Sequence, residues 1–426
     1  MKLRPGTAEE SFWTTMGRRQ QVPLSLVILL ASMSTANAAE SGVEALLRGL
    51  KPIAEVRLRY ENVDQEPLTE EADAVTLRAR LGFETPQVMH TTLLVEGEFL
   101  WPLNTDYRGD LLSPGNARYP VVADPENYEL NRLQLTNTAL PQTTLMLGRQ
   151  RINLDDQRFI GNVGWRQNEQ TYDALRVVNK SIKNLTFDVT YVNQMNRVFG
   201  KDSLQGRYEG DTVLANVSYQ TLLGKLTGFG YWIDIDNIDG VPAAVRDSSQ
   251  TLGLRFAGEK SFGRTKVAYA LSYAAQEDYK ANPIDFDEDY YLVELTGSYA
   301  QYSLGVGYEV LGGDGAKGFT TPLATLHKFQ GWADKFLATP PDGIEDLYVN
   351  VGATFKAIGP LDSLSLLVSY HSYGAEHIDL DYGSEVNLQL AAKLKRFTAL
   401  VKYADYDADE LFTDTSKYWL QVEYAW

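Results

Sequence analysis

Hydrophobic and polar residues alternate with period two along most of the chain. In the C-terminal run, the apolar face carries Tyr418, Leu420, Val422, Tyr424 and Trp426. Residues 75–83, 304–310 and 385–393 show the same period. Such alternation predicts strands with one apolar and one polar face, whereas helical periodicity is almost absent after residue 52.

Counting runs of this kind gives eighteen predicted strands. Their approximate starts are residues 53, 75, 91, 128, 143, 172, 185, 212, 224, 248, 265, 290, 302, 343, 362, 383, 397 and 415. The connections alternate short and long, which is the plan of outer-membrane barrels with tight periplasmic turns and long extracellular loops. We therefore predict an all-β fold, a single transmembrane antiparallel β-barrel of about 18 strands. The alternative, a soluble β-sandwich, needs neither the alternating connections nor the aromatic face at the carboxy terminus.

The N-terminal residues carry the three parts of a secretory signal in order. Arg18 and Arg19 form a positive region, residues 22–33 form an apolar core, and Ala36-Asn37-Ala38 fits a cleavage site. The charged region also fits a start at Met16. The predicted organisation is a signal peptide at 1–38, a short N-terminal segment at 39–52 and an outer-membrane barrel at 53–426.

Composition narrows the class of protein further. The formal net charge of −17 argues against a nucleic-acid partner, which needs a basic footprint. The absence of Cys excludes disulfides and thiolate chemistry. No stretch reaches the roughly 18–20 apolar residues of a membrane helix, and the 25 Tyr suit the aromatic belts of a barrel. We expect contacts with outer-membrane lipid, and with the barrel-assembly machinery through the C-terminal strand that ends at Trp426.

The polar faces of the predicted strands would line an aqueous lumen, because a barrel of this size leaves its interior open. The candidate pore-lining residues are Arg57, Arg59, Arg78, Arg80, Arg132, Arg176, Arg255, Glu96, Glu98 and Glu294. Arginines on early strands with acids nearby would make a transverse field for a polar or anionic solute. The alternative is a set of mutually paired charges that only hydrate the lumen. Arg149 and Arg151 lie where the alternation breaks, so their face is not assigned.

Two long loops combine aromatic and charged residues. The candidates for a loop constriction are Arg158, Trp165, Arg166, Asn168, Trp332, Asp334 and Lys335. An indole can stack on a sugar ring and a guanidinium can bind a carboxylate, so these groups suit an acidic saccharide. The same groups would also pin a loop to the inner wall, and we favour this second interpretation. We expect residues 331–336 to form a short helix over the pore.

Three long segments together resemble the alginate-export family of outer-membrane barrels. They are residues 147–177, 321–349 and 382–409, and the resemblance runs from about residue 50 to the end. The resemblance implies an 18-stranded channel that passes an anionic or polar saccharide-like solute through an Arg-rich, mixed-charge constriction. It carries over no single lining residue.

Other candidate chemistry is sparse, and we predict that the chain is not an enzyme. No G-x-S-x-G or H-E-x-x-H pattern occurs. No cofactor is predicted, although acidic clusters at 234–239, 285–289, 379–381 and 405–410 leave calcium in the loops open. Two alternatives to a passive channel remain. One is a barrel enzyme acting on lipid or glycan, and the other is a calcium-binding structural or adhesion barrel.

Overall fold

The computed structural model describes residue 44 and residues 47–109, 117–238, 241 and 244–426. The predicted signal peptide lies outside these residues. The chain divides into two compact units, residues 1–50 and 51–426. In the first unit, Glu44, Leu47 and Arg48 are helical. No helix among the described residues is long and apolar enough to cross a membrane.

The second unit is a sheet of 18 antiparallel strands. The strands are β1 (Lys51–Gln65), β2 (Ala72–Glu84), β3 (Thr91–Pro102), β4 (Asn127–Asn137), β5 (Thr143–Gln150), β6 (Thr171–Asn179), β7 (Leu185–Asn196), β8 (Arg207–Gln220), β9 (Lys225–Ile233), β10 (Ser249–Phe262), β11 (Thr265–Asp278), β12 (Asp287–Tyr299), β13 (Tyr302–Leu311), β14 (Ile344–Ile358), β15 (Leu361–Gly374), β16 (Asp381–Leu394), β17 (Phe397–Asp407) and β18 (Thr415–Ala425). Short 3-10 helices lie at Ala244–Asp247 and Leu326–Lys328.

Each strand pairs with its neighbours in sequence, and β1 also pairs with β18. This last pairing closes the sheet, so the backbone groups of the strands find partners without an exposed edge. The predicted barrel and its eighteen strands are confirmed, and each predicted start lies within five residues of the observed one. From the connection between β3 and β4 onward, long and short connections alternate as expected, whereas the first two, residues 66–71 and 85–90, are equal in length.

Successive side chains point to opposite sides of the barrel wall, as strand geometry requires. Outward side chains such as Leu254, Val293 and Leu420 are apolar and exposed. Inward side chains of the same wall include the buried Arg59 and Glu98. The exposed belt would be costly in water but is stable against lipid, so the composition averages an apolar and a polar face.

Register irregularities interrupt the regular alternation of several strands. The bulge between β3 and β4 turns the consecutive Asn131 and Arg132 toward the same acid, Glu96. Others interrupt β6–β7 and β7–β8. Arg149 shares its face with the exposed Leu147, whereas Arg151 binds Glu169 on the lumen side.

Two of the long connections fold into the lumen. Loop 3, residues 151–170, and loop 7, residues 312–343, pack their apolar side chains against aromatic residues of the wall. Buried loop side chains include Ile160, Phe319 and Phe336. The interior is therefore a packed core on the loop side of the barrel, rather than an empty pore.

Candidate functional site

The first two strands place four guanidiniums on the inner wall. The register sets Arg57 of β1 directly opposite Arg78 of β2. Like charges at opposite positions destabilise a sheet, so this arrangement requires acidic partners. Arg78 pairs with Glu55, and Arg57 donates through Nε to Glu423 at 2.5 Å.

The cluster continues onto β3 and loop 3. Arg80 donates to Glu98, Arg132 lies 2.6 Å from Glu96, and Arg151 of loop 3 lies 2.5 Å from Glu169. Burial of Glu169 acts to raise its pKa, but the guanidiniums of Arg80 and Arg151 outweigh burial, so the pKa lies below its usual range. Predicted lumen residues of the first four strands therefore meet in one network of paired charges.

The remaining predicted lumen residues make their contacts elsewhere on the wall. Arg176 lies 2.5 Å from Asp188 of the next strand, and Arg255 lies 2.9 Å from Asp156 of loop 3. Glu294 accepts a hydrogen bond from Tyr348 at 2.6 Å. The structure thus places the predicted set on inward faces, but in separate groups.

Loop 3 is held at both ends of its path across the lumen. The arginine-rich strands β1 and β2, here called the basic wall, hold one part, and β13, here called the far wall, holds another. Arg59 donates to the carbonyl oxygen of Trp165 at 2.6 Å. Arg158 lies 2.7 Å from Glu309 of β13. Asn168 donates to the carbonyls of Arg197 and Val198, at 3.1 and 3.2 Å. Each of these predicted loop residues makes contacts that fix the loop across the lumen.

Arg166 joins the two loops to the wall. Its guanidinium lies 2.9 Å from Glu61 of β1 and 3.1 Å from Asp334 of loop 7. Asp334 also lies 3.1 Å from Lys417 of β18. Burial acts to raise the pKa of Asp334, but His327 and the two cations keep that pKa well below its usual range.

Loop 7 is held by the opposite chemistry. The backbone N–H groups of Trp332 and Ala333 donate to the buried carboxylate of Glu385. The predicted short helix at 331–336 is wrong, since the 3-10 helix lies at Leu326–Lys328 instead. Gly331, with a φ of +78°, and Asp334, with a φ of +60°, have left-handed backbone that a right-handed helix cannot contain.

A lysine of β17 enclosed by two indoles connects the wall to both loops. Nζ of Lys402 lies 3.6 Å from the centre of the Trp332 ring and 4.1 Å from that of Trp165. The Trp165 ring stacks on His327 at 4.4 Å. Sequence reasoning identified both tryptophans as site residues and placed Lys402 on a polar face, but it did not predict that Lys402 and His327 meet the tryptophans.

The protonation of His327 follows from its two neighbours. Lys402 can only donate, so it donates to Nε2 of His327 at 2.7 Å. Nδ1 then carries the ring proton and donates to Asp334 at 2.7 Å. Burial lowers the pKa of His327 well below its usual range, so the imidazole is neutral at this position.

A cavity of about 590 Å³ lies beside this contact, between the loops. Its charged lining consists of Arg108, Arg166, Arg197, Lys335, Lys417, Asp247 and Asp334. Apolar groups such as Phe199, Leu337 and Phe412 line the rest. Burial, with Lys417 nearby, lowers the pKa of Lys335 to about 8. Arg108, Arg197 and Lys417 were not among the predicted constriction residues. Arg108 and Arg197 lie in loops without a motif, and Lys417 lies on β18.

The described residues hold little sign of metal or hydrolytic chemistry. No group of three or more His, Cys, Asp or Glu in that part of the chain could hold a metal ion. Asp239, which belongs to one predicted acidic cluster, lies outside it. His371 binds Asp346 at 3.0 Å, and His327 is held by Asp334 and Lys402. Neither histidine has a hydrogen bond to a hydroxyl among the described contacts.

Comparisons with known proteins identify the fold. No family model and no curated protein matches the chain. The structure of Pseudomonas aeruginosa OpdK with vanillate matches with a TM-score of 0.69 and 14% identity, over 89% of this chain and 99% of that one. Pseudomonas aeruginosa OccK9 (OpdG) matches with a TM-score of 0.68 and 16% identity, over 89% and 99%. Acinetobacter baumannii OccAB4 matches with a TM-score of 0.66 and 16% identity, over 88% and 98%.

These likenesses bear on the predictions in two ways. OpdK is an outer-membrane protein, and the shared barrel with its exposed apolar belt confirms the predicted location in the outer membrane. None of the comparisons supports the predicted alginate-export family. The chain has the 18-stranded barrel fold of outer-membrane proteins.

Proposed function

We propose that this chain is a passive outer-membrane channel that admits small organic anions. The observation that carries the proposal is the charge of the cavity between the loops. Among the described residues its lining holds five cations, Arg108, Arg166, Arg197, Lys335 and Lys417, against the carboxylates of Asp247 and Asp334. A cleft with an excess of one sign of charge and low-dielectric walls concentrates counter-ions, so we expect anions to collect here.

The cationic groups continue from the cavity to the inner wall. Arg166 lines the cavity, and its carbonyl oxygen accepts a hydrogen bond from Arg57 at 3.4 Å. Arg57 belongs to the network of paired charges on β1–β3. Paired charges along a route hold an anion less tightly than a purely basic lining would, and conduction requires that a solute can leave.

The packed loops favour a small solute over a polymer. An acidic polysaccharide, which the alginate-export resemblance implies, would require loops 3 and 7 to withdraw from the lumen together. A small carboxylate with an apolar body would need much less space and would match both the cations and the apolar lining. Vanillate, found with OpdK, belongs to this chemical class.

The test is ion selectivity in planar bilayers under a salt gradient. We expect an anion-selective reversal potential for the full chain. The double variant Lys335→Gln/Lys417→Gln should reduce the anion preference by about ten-fold, the low end of what a charged cleft contributes. The matched control Lys201→Gln/Lys280→Gln removes two external-loop cations that do not line the cavity, and it should change nothing.

A solute assay identifies the class of anion. Vanillate should block the chloride current in a concentration-dependent way, whereas the uncharged analogue vanillyl alcohol should not. Equal block by both compounds would contradict a carboxylate site. If the double variant and the wild type had equal selectivity, the cations of the cavity would not determine the anion preference.

A further inference from the structure

The short turns of the barrel carry exposed cations without acidic partners. They are Lys180, Lys183, Lys260, Arg264, Lys356, Lys393, Lys395 and Arg396. None of these eight forms an ion pair in the described structure, whereas Lys51 and Lys266 at the same end pair with Glu84 and Glu259. The cations inside the lumen behave differently, because the guanidiniums of its wall are paired with carboxylates.

The opposite rim of the barrel has the opposite sign. On its outward face, Tyr191 donates to Asp211 at 2.5 Å and Tyr273 donates to Asp289 at 2.8 Å. A further pair of the same kind joins Tyr60 to Asp73 at 2.5 Å. The two membrane interfaces of one barrel therefore differ: the loop side presents carboxylates fixed by tyrosines, and the turn side presents unpaired cations.

Aromatic rings set the depth of the cations on the turn side. The guanidinium of Arg396 lies 4.2 Å from the ring centre of Trp426, and that of Arg264 lies 5.5 Å from the ring centre of Tyr299. Both rings face outward and are more than half exposed, Trp426 by 65% and Tyr299 by 55%. Trp and Tyr on the outer face of a barrel lie at the headgroup level. The stacked guanidiniums therefore lie at the same level, with their N–H edges open.

We propose that the turn-side rim binds the phosphate groups of anionic phospholipids in the leaflet that faces it, most densely at Lys395 and Arg396. Charge complementarity and headgroup depth identify this occupant. A planar guanidinium stacked on a ring can still bind phosphate oxygens through its edge. The neighbouring ammonium group of Lys395 adds attraction to a negatively charged leaflet.

The experiment measures which lipids the full chain retains. The protein is reconstituted in nanodiscs of phosphatidylcholine with phosphatidylglycerol, released in the mass spectrometer, and its bound lipids are counted. Wild type should retain phosphatidylglycerol in preference to phosphatidylcholine. The variant Lys395→Gln/Arg396→Gln should lose at least about five-fold of that preference, the value of one cation near an anionic surface.

Controls separate the lipid site from general charge. Lys201→Gln/Arg246→Gln/Lys280→Gln removes three exposed external-loop cations and should keep the preference. Heat-modifiable gel mobility checks folding, and Arg396→Gln alone replaces the double variant if the latter does not fold. Single-channel conductance should stay at the wild-type value, because these turns lie outside the cavity and the two inserted loops.

Three results would overturn the proposal. The first is equal retention of the two lipids by the wild type, and the second is equal loss in the external-loop control. The third is complete displacement of phosphatidylglycerol by inorganic phosphate at millimolar concentration, which would assign the rim to free phosphate ions. Because conductance is recorded separately, a failed channel and a failed lipid site give different outcomes.

Discussion

The two loops inside the barrel are held by opposite chemistry on two strands, β1 and β16, that lie three strands apart in the closed sheet. On the wall of β1, guanidiniums donate to the backbone of loop 3, with Arg59 on the carbonyl of Trp165. On the wall of β16, the carboxylate of Glu385 accepts from the backbone N–H groups of loop 7. A loop that leaves water needs partners for its backbone groups, and each wall supplies the complementary kind.

The two sides of the barrel that hold loop 3 also differ in the number of ion pairs that each guanidinium makes. Arg80 contacts Glu55, Glu98 and Glu169, so the basic wall shares its charges among several pairs. On the far side, Arg158 reaches one carboxylate, Glu309, and both side chains are buried. We therefore expect the basic wall to tolerate the loss of one residue better than the far wall does.

The largest effect is expected for Arg158→Met. This change leaves the buried carboxylate of Glu309 without its cation, which costs about 3–5 kcal/mol. Loop 3 should lose its attachment to β13, so single-channel conductance should rise. The free energy of unfolding in detergent should fall. Arg80→Met should have a smaller effect on both quantities.

The double variant Arg158→Met/Glu309→Gln sharpens this result. It removes the uncompensated charge and should recover most of the lost stability. If Arg158→Met and Arg80→Met were equally destabilising, the difference in redundancy between the two walls would not hold.

A smaller effect is expected for Glu385→Gln on the other loop. The amide still accepts a hydrogen bond, but the loss of charge should weaken its hold on loop 7 by about 1.5–3 kcal/mol. Hydrogen exchange at the amides of Trp332 and Ala333 should become faster, while the amides of loop 3 keep their wild-type rates. Unchanged exchange at both amides would show that loop 7 is held by other contacts.

The smallest effect concerns pH. The pKa of Lys335 is lowered to about 8, so this lysine is charged below that pH and neutral above it. Anion preference should therefore fall as the pH rises from 7 to 9, because the cavity loses one of its cations. Reversal potentials of Lys335→Gln should stay flat over the same interval, and a decline in the variant equal to that of the wild type would assign the titration to another group.

The sequence predicts the strands well because alternation is a local property of each strand. It predicts less where a bulge adds a residue. The start of β8 was expected at 212 but lies at Arg207, next to the irregularity between β7 and β8. Arg149 could not be assigned because the alternation breaks there, with a charged residue on the same face as the apolar and exposed Leu147.

The sequence predicted which residue types form the candidate site, but not which residues contact each other there. Trp and Arg side by side in a loop marked Trp165 and Arg166, since such residues suit either a ligand or the inner wall. Their partners lie far away in sequence, as with Arg166 and Asp334, which are separated by 168 positions. The enclosed Lys402 was visible as a polar-face residue, but its indole neighbours come together only when two loops meet.

The reversal potential of the full chain in a planar bilayer tests the central claim most directly. The account predicts discrete conductance steps and, under a potassium chloride gradient, a reversal potential on the anion-selective side that shifts toward zero in Lys335→Gln/Lys417→Gln. The absence of conductance steps at every salt and voltage, or a cation-selective reversal potential, would contradict it.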